Sequence, residues 1–219
     1  YCWVPSILHR DKADFHKVGK PRLTTKQIAD DARRLEVAGE KRAVLLCFTG
    51  DPYPNGMDSS LTRQAIEILH VHGLHVTILT KGGKRATRDF DLLDSGDQFA
   101  VTLTCMDNET SRWWEPGAAL PGERMESLVE AQSRGIRTWV SLEPVLYPQA
   151  TKQLILLTKD IAAFYRVGKL NYHPWAQKID WAEFAREITT FMDTLGVRYY
   201  VKADLAKYLG KSEGYWNRA

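Results

Sequence analysis

Polar side chains follow one apolar run after another in this chain: Thr49-Gly50-Asp51, Thr80-Lys81-Gly82-Gly83, Thr102 with Thr104 and Asp107, Ser141 with Glu143, and Lys169 with Asn171. Carboxylates take up amines and hydroxyls, ammonium groups hold carboxylates, and glycine lets a backbone come close to a ligand. Together these groups suit a pocket for a polar small molecule. Each also has a plainer reading. Asp51 could cap the helix that follows, Lys81 could be a solvated loop lysine, and Glu143 before Pro144 could be an ordinary strand-end charge.

The elements that must position these groups are visible in the periodicity. Val44 to Phe48 carries no charge and stops at Thr49-Gly50-Asp51-Pro52, which reads as a strand buried on both faces of a parallel sheet. Further strands are predicted over 75–79, 99–104, 137–142, 161–167 and 197–201. Between them the spacing predicts helices from Thr24 to Gly39, from Ser59 or Ser60 to Gly73, around 86–93, over 121–134, over about 150–159 and over 180–195, with a last helix over 203–209. A long loop carrying Trp113 and Trp114 follows the third strand, and at least one of the two indoles is expected over the barrel mouth. Strict alternation predicts parallel pairing with right-handed crossovers. No Gly-x-Gly-x-x-Gly follows a strand, which disfavours a dinucleotide-binding sheet and leaves a full or partial barrel. In such folds ligands bind beyond the carboxyl ends of the strands, where the polar groups stand.

A chain of 219 residues with a hydrophobic fraction of 44% suits one α/β domain over 1–219, and a net charge of +3 announces no nucleic-acid stripe. No apolar run approaches the roughly 18 residues of a membrane span. Cys2, Cys47 and Cys105 are an odd, widely spaced set, which argues for a reducing, cytoplasmic setting, with Cys47 and Cys105 packed in or beside strands. His70, His72 and His75 gather before the second strand, at the opposite end from the other polar groups. Their position reads as a solvated helix end more readily than as a zinc site. The chain opens Tyr-Cys-Trp-Val-Pro without an initiator methionine, and is expected to be a fragment lacking its N-terminal part.

These residues carry a resemblance. Tyr1-Cys2 resembles the end of the CxxxCxΦC motif of radical S-adenosylmethionine (SAM) enzymes, FTGDPYP stands where that superfamily has its GGE-type strand end, and TKGG and FAVTLT follow in the order of its core strands. The run EPGAALPGERMESLVEAQSRGIRTWVSLEPVL is similar to the spore photoproduct lyase-like branch, in particular its uncharacterised members. The resemblance implies a partial (β/α)6 barrel of TIM type whose first strand and most of whose cluster loop are missing here. It implies a lyase-like enzyme with a [4Fe-4S] cluster and SAM, fed by an electron donor such as flavodoxin or ferredoxin. Reductive cleavage of SAM would give a 5′-deoxyadenosyl radical that takes hydrogen from a small-molecule or nucleic-acid-derived substrate.

Carried over, the resemblance makes Cys2 the cluster ligand, sets Thr49, Gly50 and Asp51 against the methionine amino group and Lys81 against its carboxylate. It gives the ribose to Thr102 or Thr104, with Ser141 in the same cofactor-binding set, and places Tyr1 and the backbone around Glu143 beside the adenine. A cubane cluster needs three thiolates, and Cys47 and Cys105 lack the motif spacing. The hydrogen-donor cysteine of spore photoproduct lyases aligns near Phe48, so dimer repair is not implied. Two rival readings use the same residues without Cys2: a metal-free barrel hydrolase with Asp51 and Glu143 as an acid/base pair about 5 to 10 Å apart, and a non-catalytic binding module.

Overall fold

The computed structural model describes Cys2, Val4, residues 23–47 and residues 49–217. Tyr1, Phe48 and most of the segment expected to be an irregular connection lie outside the described residues. Alternating strands and helices form one sheet of β1 Val44–Leu46, β2 Val76–Thr80, β3 Gln98–Thr102, β4 Arg137–Leu142, β5 Tyr165–Val167, β6 Tyr199–Val201 and β7 Tyr215–Trp216. Its spatial order equals its chain order. Strands β1 to β6 pair in parallel, and β7 returns antiparallel on β6. With every parallel crossover turning the same way, the helices collect on one face and the twisted sheet curls into a partial barrel.

Among the described residues the α-helices are α1 Thr25–Val37, α2 Ser60–Val71, α3 Asn108–Trp114, α4 Pro121–Ser133, α5 Pro148–Thr158, α6 Trp181–Thr194 and α7 Ala203–Ala206. Their ends are set by local chemistry. Thr24 and Gln27 close a capping box at α1, Pro121 opens α4, and the Asp180 carboxylate accepts from the N–H groups of Ala182 and Glu183 at α6. In α6 the residues Trp181, Phe184, Ala185, Ile188 and Met192 recur at helical spacing and are all buried against the sheet.

Strand alternation divides the core. Ile78, Phe99, Val101, Val140, Tyr165 and Val167 face the helices and are fully buried. The concave face carries Leu79, Ala100, Trp139 and Phe164. Trp139 stacks on Phe164 with centroids 5.2 Å apart, and Trp216 meets Phe164 edge-on at 5.2 Å. This aromatic layer floors the barrel below the strand ends.

Several expectations are corrected. Strand β1 ends at Leu46 and is not buried on both faces: it pairs only with β2 among the described residues, and Leu45 is 41% exposed. Cys47, expected to pack, is exposed just past that end. Strand β5 begins at Tyr165 and not at 161, because Ile161 and Ala162 still bond back to Thr158 as the chain leaves α5. The helix expected around 86–93 is a 3-10 segment, Gly83–Asp89. The long loop after β3 holds α3, capped by the Asp107 carboxylate, which accepts from the Thr110 N–H at 2.8 Å.

Candidate functional site

The loop leaving β1 is tied to the end of β2 through one carboxylate. Asp51 Oδ1 accepts from the Tyr53 N–H at 2.8 Å and the Thr80 hydroxyl at 2.5 Å, and Oδ2 accepts from the Lys81 N–H at 2.6 Å. Asp51 therefore shapes the strand ends from within, in addition to any part in holding a ligand. Gly50 beside it is exposed, and a Cβ there would meet nothing within 4 Å. Gly82 is the opposite case: a Cβ would come within 2.8 Å of the Tyr53 Cβ, so the chain can pass there only as glycine.

Lys81 does not end in open solvent. Its Nζ lies 2.8 Å from Glu115 Oε1, and Glu115 Oε2 lies 2.6 Å from the buried guanidinium of Arg124. Arg124 also donates to the carbonyls of Ala119 at 2.7 Å and Thr102 at 2.9 Å, and to the Ser111 hydroxyl at 3.3 Å. Every polar end of this buried arginine is used, as a buried charge requires. The network fixes the end of β3, α3 and α4 to one another. Glu115 and Arg124 escaped the sequence reading because a buried ion pair looks like surface charge until helix and loop are brought together. The Glu-Pro-Gly at the end of α3 was the available signal.

Thr102 and Ser141 face each other in register on β3 and β4. Both belong to the concave side and both residues are largely buried, yet their hydroxyl oxygens keep some accessible surface, and among the described residues neither has a hydrogen-bond partner. Thr104 is buried with its hydroxyl 3.5 Å from Cys105 Sγ. One step further toward the mouth, Glu143 pairs with Lys202 after β6, and its side chain lies across Gly168, where a Cβ would come within 2.8 Å of Glu143 Cγ. Lys169 is turned to the Trp181 ring, 5.2 Å from its centroid, and burial lowers its pKa. Asn171 donates to Asp204 at 2.7 Å.

Thus Thr49, Gly50, Asp51, Lys81, Thr102, Thr104, Ser141 and Glu143 all sit at or just beyond the carboxyl ends of β1 to β4, while Tyr1 lies outside the described residues. Asp51 and Glu143 have separate partner sets, on β2 and after β6. Their strands are three spacings apart, roughly 14 Å along the sheet, which does not favour them as an acid/base pair. Of the two indoles, Trp114 is buried and Trp113 is 70% exposed. Trp114 packs against His173 and Trp175 and donates to the Tyr147 hydroxyl at 3.0 Å, joining the loops that follow β3, β4 and β5.

The thiols do not form a cluster site among the described residues. Cys105 is buried, and burial pushes its thiol up to about 11. Cys47 is exposed, and Cys2 is half-buried. The metal-compatible group that does occur is His75, Asp94 and Asp97 at the amino end of β2, with His75 Nδ1 3.6 Å from each carboxylate. There the buried Asp97 accepts from the N–H groups of Val76 at 2.7 Å and Asp94 at 2.9 Å, and His70 Nε2 lies 3.0 Å from its Oδ2. It serves as a clip for the strand start. Among the described residues no helix is long and apolar enough to cross a membrane.

This geometry has counterparts in solved structures. Streptococcus suis SuiB bound to S-adenosylmethionine superposes with a TM-score of 0.68 at 10% identity, over 88% of this chain and 47% of that one. Spore photoproduct lyase complexed with dinucleoside spore photoproduct superposes with a TM-score of 0.63 at 14% identity, over 89% of this chain and 68% of that one. At such identities the likeness is one of fold, and the chain spans about half the length of SuiB. No curated protein matches the sequence. The family model of the radical SAM superfamily matches residues 1–160, and the chain belongs to that superfamily.

Proposed function

We propose that this chain is the SAM-binding barrel of a radical SAM enzyme of the spore photoproduct lyase-like branch. The observation that carries the reading is the pair of unspent hydroxyls, Thr102 and Ser141, in register at the carboxyl end of the concave face. Hydroxyls that reach the concave surface from largely buried residues and lack protein partners suit a ligand rich in hydroxyls and ring nitrogens, such as the adenosyl part of SAM. In this reading Gly50 gives the methionine end room, Asp51 holds the β1 and β2 loops in place, and Lys81 with Glu115 sets the charge beside it. Thr49, Thr104, Glu143 and Tyr1 complete the proposed cofactor set.

Bound SAM would supply a 5′-deoxyadenosyl radical on one-electron reduction, with a flavodoxin or ferredoxin as the proposed donor. Cys2 is the proposed cluster ligand. The described thiols do not by themselves fit a [4Fe-4S] cluster: Cys105 is buried, Cys47 exposed and Cys2 half-buried. Among the fold neighbours SuiB has been captured with a precursor peptide and spore photoproduct lyase with a dinucleoside. For this chain the proposed substrate is a small or nucleic-acid-derived molecule.

SAM titrated into the chain and into Thr102→Val and Ser141→Ala by calorimetry tests the reading. Each lost hydrogen bond should weaken binding about two- to tenfold, for a net of about 0.5–1.5 kcal/mol. Unchanged affinity in both variants would remove this face as the cofactor site.

A further inference from the structure

Arg166 stands in the middle of β5, level with Ser141 on β4 and Tyr200 on β6. Its strand neighbours Tyr165 and Val167 are fully buried against the helices, so alternation turns Arg166 to the concave side. The guanidinium lies over two rings, with Cζ 5.0 Å from the Trp139 centroid and 5.8 Å from that of Tyr200. Among the described residues the guanidinium makes no ion pair with a carboxylate and no hydrogen bond, and its Nε is buried without a partner. The same holds for the indole Nε1 of Trp139, a residue only 2% exposed.

Two neighbouring buried N–H donors, one of them cationic, are thus left without an acceptor. An arginine cannot give up its proton, and a buried donor without a partner is costly, so the arrangement makes sense when an acceptor is delivered from outside the protein. The ring faces hold the planar guanidinium and leave its fork preorganised for a group with two oxygens. Other cations at the strand ends are already engaged: Lys81 with Glu115, Arg124 with Glu115, and Lys202 with Glu143.

We propose that Arg166, with the indole N–H of Trp139, receives an oxyanion of the substrate, a carboxylate or a phosphate, on the concave face above the aromatic floor. The word substrate rests on the radical SAM reading; the anion site itself does not. The cofactor's own carboxylate is a poor candidate for this place. It is expected beside Lys81 at the end of β2, and β5 is three strand spacings from β2, roughly 14 Å along the sheet. The substrate class that follows is an anionic small molecule whose charged end lies toward β5 and β6.

The test uses nitrogen-15 spectra of the whole 219-residue chain, in which arginine Nε–H and indole Nε1–H signals are resolved. Arg166→Lys and Trp139→Phe assign the two signals. Sodium phosphate and sodium acetate are titrated separately against sodium chloride at equal ionic strength, and SAM is titrated in a further series. Saturable shifts of both signals with phosphate or acetate are expected, and the anion that saturates at the lower concentration names the group. Arg166→Gln should weaken that anion about tenfold or more, with Arg166→Lys in between. The proposal is overturned if neither signal moves beyond the chloride control. It is overturned as well if SAM alone moves them, which would put the cofactor there and leave the SAM-binding reading standing. Anion binding without any SAM binding would instead sink that reading and keep the site.

Discussion

The Asp51 carboxylate accepts the Thr80 hydroxyl on one oxygen, at 2.5 Å, and the Lys81 backbone N–H on the other, at 2.6 Å. This clip joins the exits of β1 and β2, the two strands on which the methionine end of the cofactor is proposed to rest. The residue read from sequence as a ligand is in the structure also a positioning group, and the two roles separate by experiment.

Asp51→Ala should therefore lower stability as well as SAM affinity. Removing it leaves the Lys81 and Tyr53 N–H groups and the Thr80 hydroxyl short of an acceptor, a loss of about 1–3 kcal/mol for a half-buried set of this kind. Urea unfolding reads the first effect and calorimetry with SAM the second. Paired with Thr80→Val in a double-mutant cycle, Asp51→Ala should show coupling of about 1 kcal/mol. Additive losses would mean that the clip does not operate.

The strand order and the carboxyl-end location of the polar groups were legible because both follow from alternation: Val76 to Thr80 and Arg137 to Leu142 read as strands, and their exits could be counted in order. What the polar groups bond to was not legible. Lys81 meets Glu115, and Glu143 meets Lys202, across 34 and 59 positions of chain respectively, a pairing that only the closed fold supplies. One charge near the end of the predicted strand 161–167 looks like ordinary strand-end polarity, so Arg166 gave no signal; its meaning comes from Trp139 and Tyr200 on the flanking strands. The antiparallel β7 has only two residues, too short for periodicity to register.

Glu115→Ala should be among the most damaging single changes at this end of the barrel. It leaves the fully buried Arg124 guanidinium without its carboxylate, and breaking a buried pair from one side costs about 3–5 kcal/mol. Denaturant midpoints would show it. Arg124→Met combined with Glu115→Leu should recover part of the loss, because the pair is then removed from both sides. A Glu115→Ala midpoint within error of wild type would exclude the network as a structural anchor.

Stability should fall on the alkaline side. Burial raises the Cys105 thiol from an ordinary value near 9 to about 11, and burial likewise raises the Tyr165 phenol from 10 to about 12. Both groups hold their protons more tightly when folded, so their contribution is fully present below the unfolded values and is lost as pH rises through the folded ones. Thermal midpoints should decline from about pH 9 upward. At pH 8 an aromatic disulfide reagent should label the exposed Cys47 rapidly and leave Cys105 untouched until the chain unfolds. Equal labelling rates would contradict the burial of Cys105.

After anaerobic reconstitution the 219-residue chain should hold fewer than four irons and form no 5′-deoxyadenosine under dithionite. The reason is ligand count: a cubane cluster of this type takes three protein thiolates, and of the three cysteines present Cys105 is buried beside Thr104. About four irons per chain with turnover of SAM would show that the thiols rearrange.

The central claim is that SAM lies across the carboxyl ends of β1 to β4, and Gly50 tests it most directly. A side chain at Gly50 would enter open space with no atom within 4 Å, as would one at Gly122 on α4, and neither backbone is in the left-handed region. Calorimetry with SAM on wild type, Gly50→Phe and Gly122→Phe compares an obstructed site with an equally bulky control. The account predicts SAM binding by the wild type and by Gly122→Phe, a loss of about tenfold or more in Gly50→Phe, and thermal midpoints that agree across the three. Equal SAM affinity in all three, or no binding by the wild type, would contradict it.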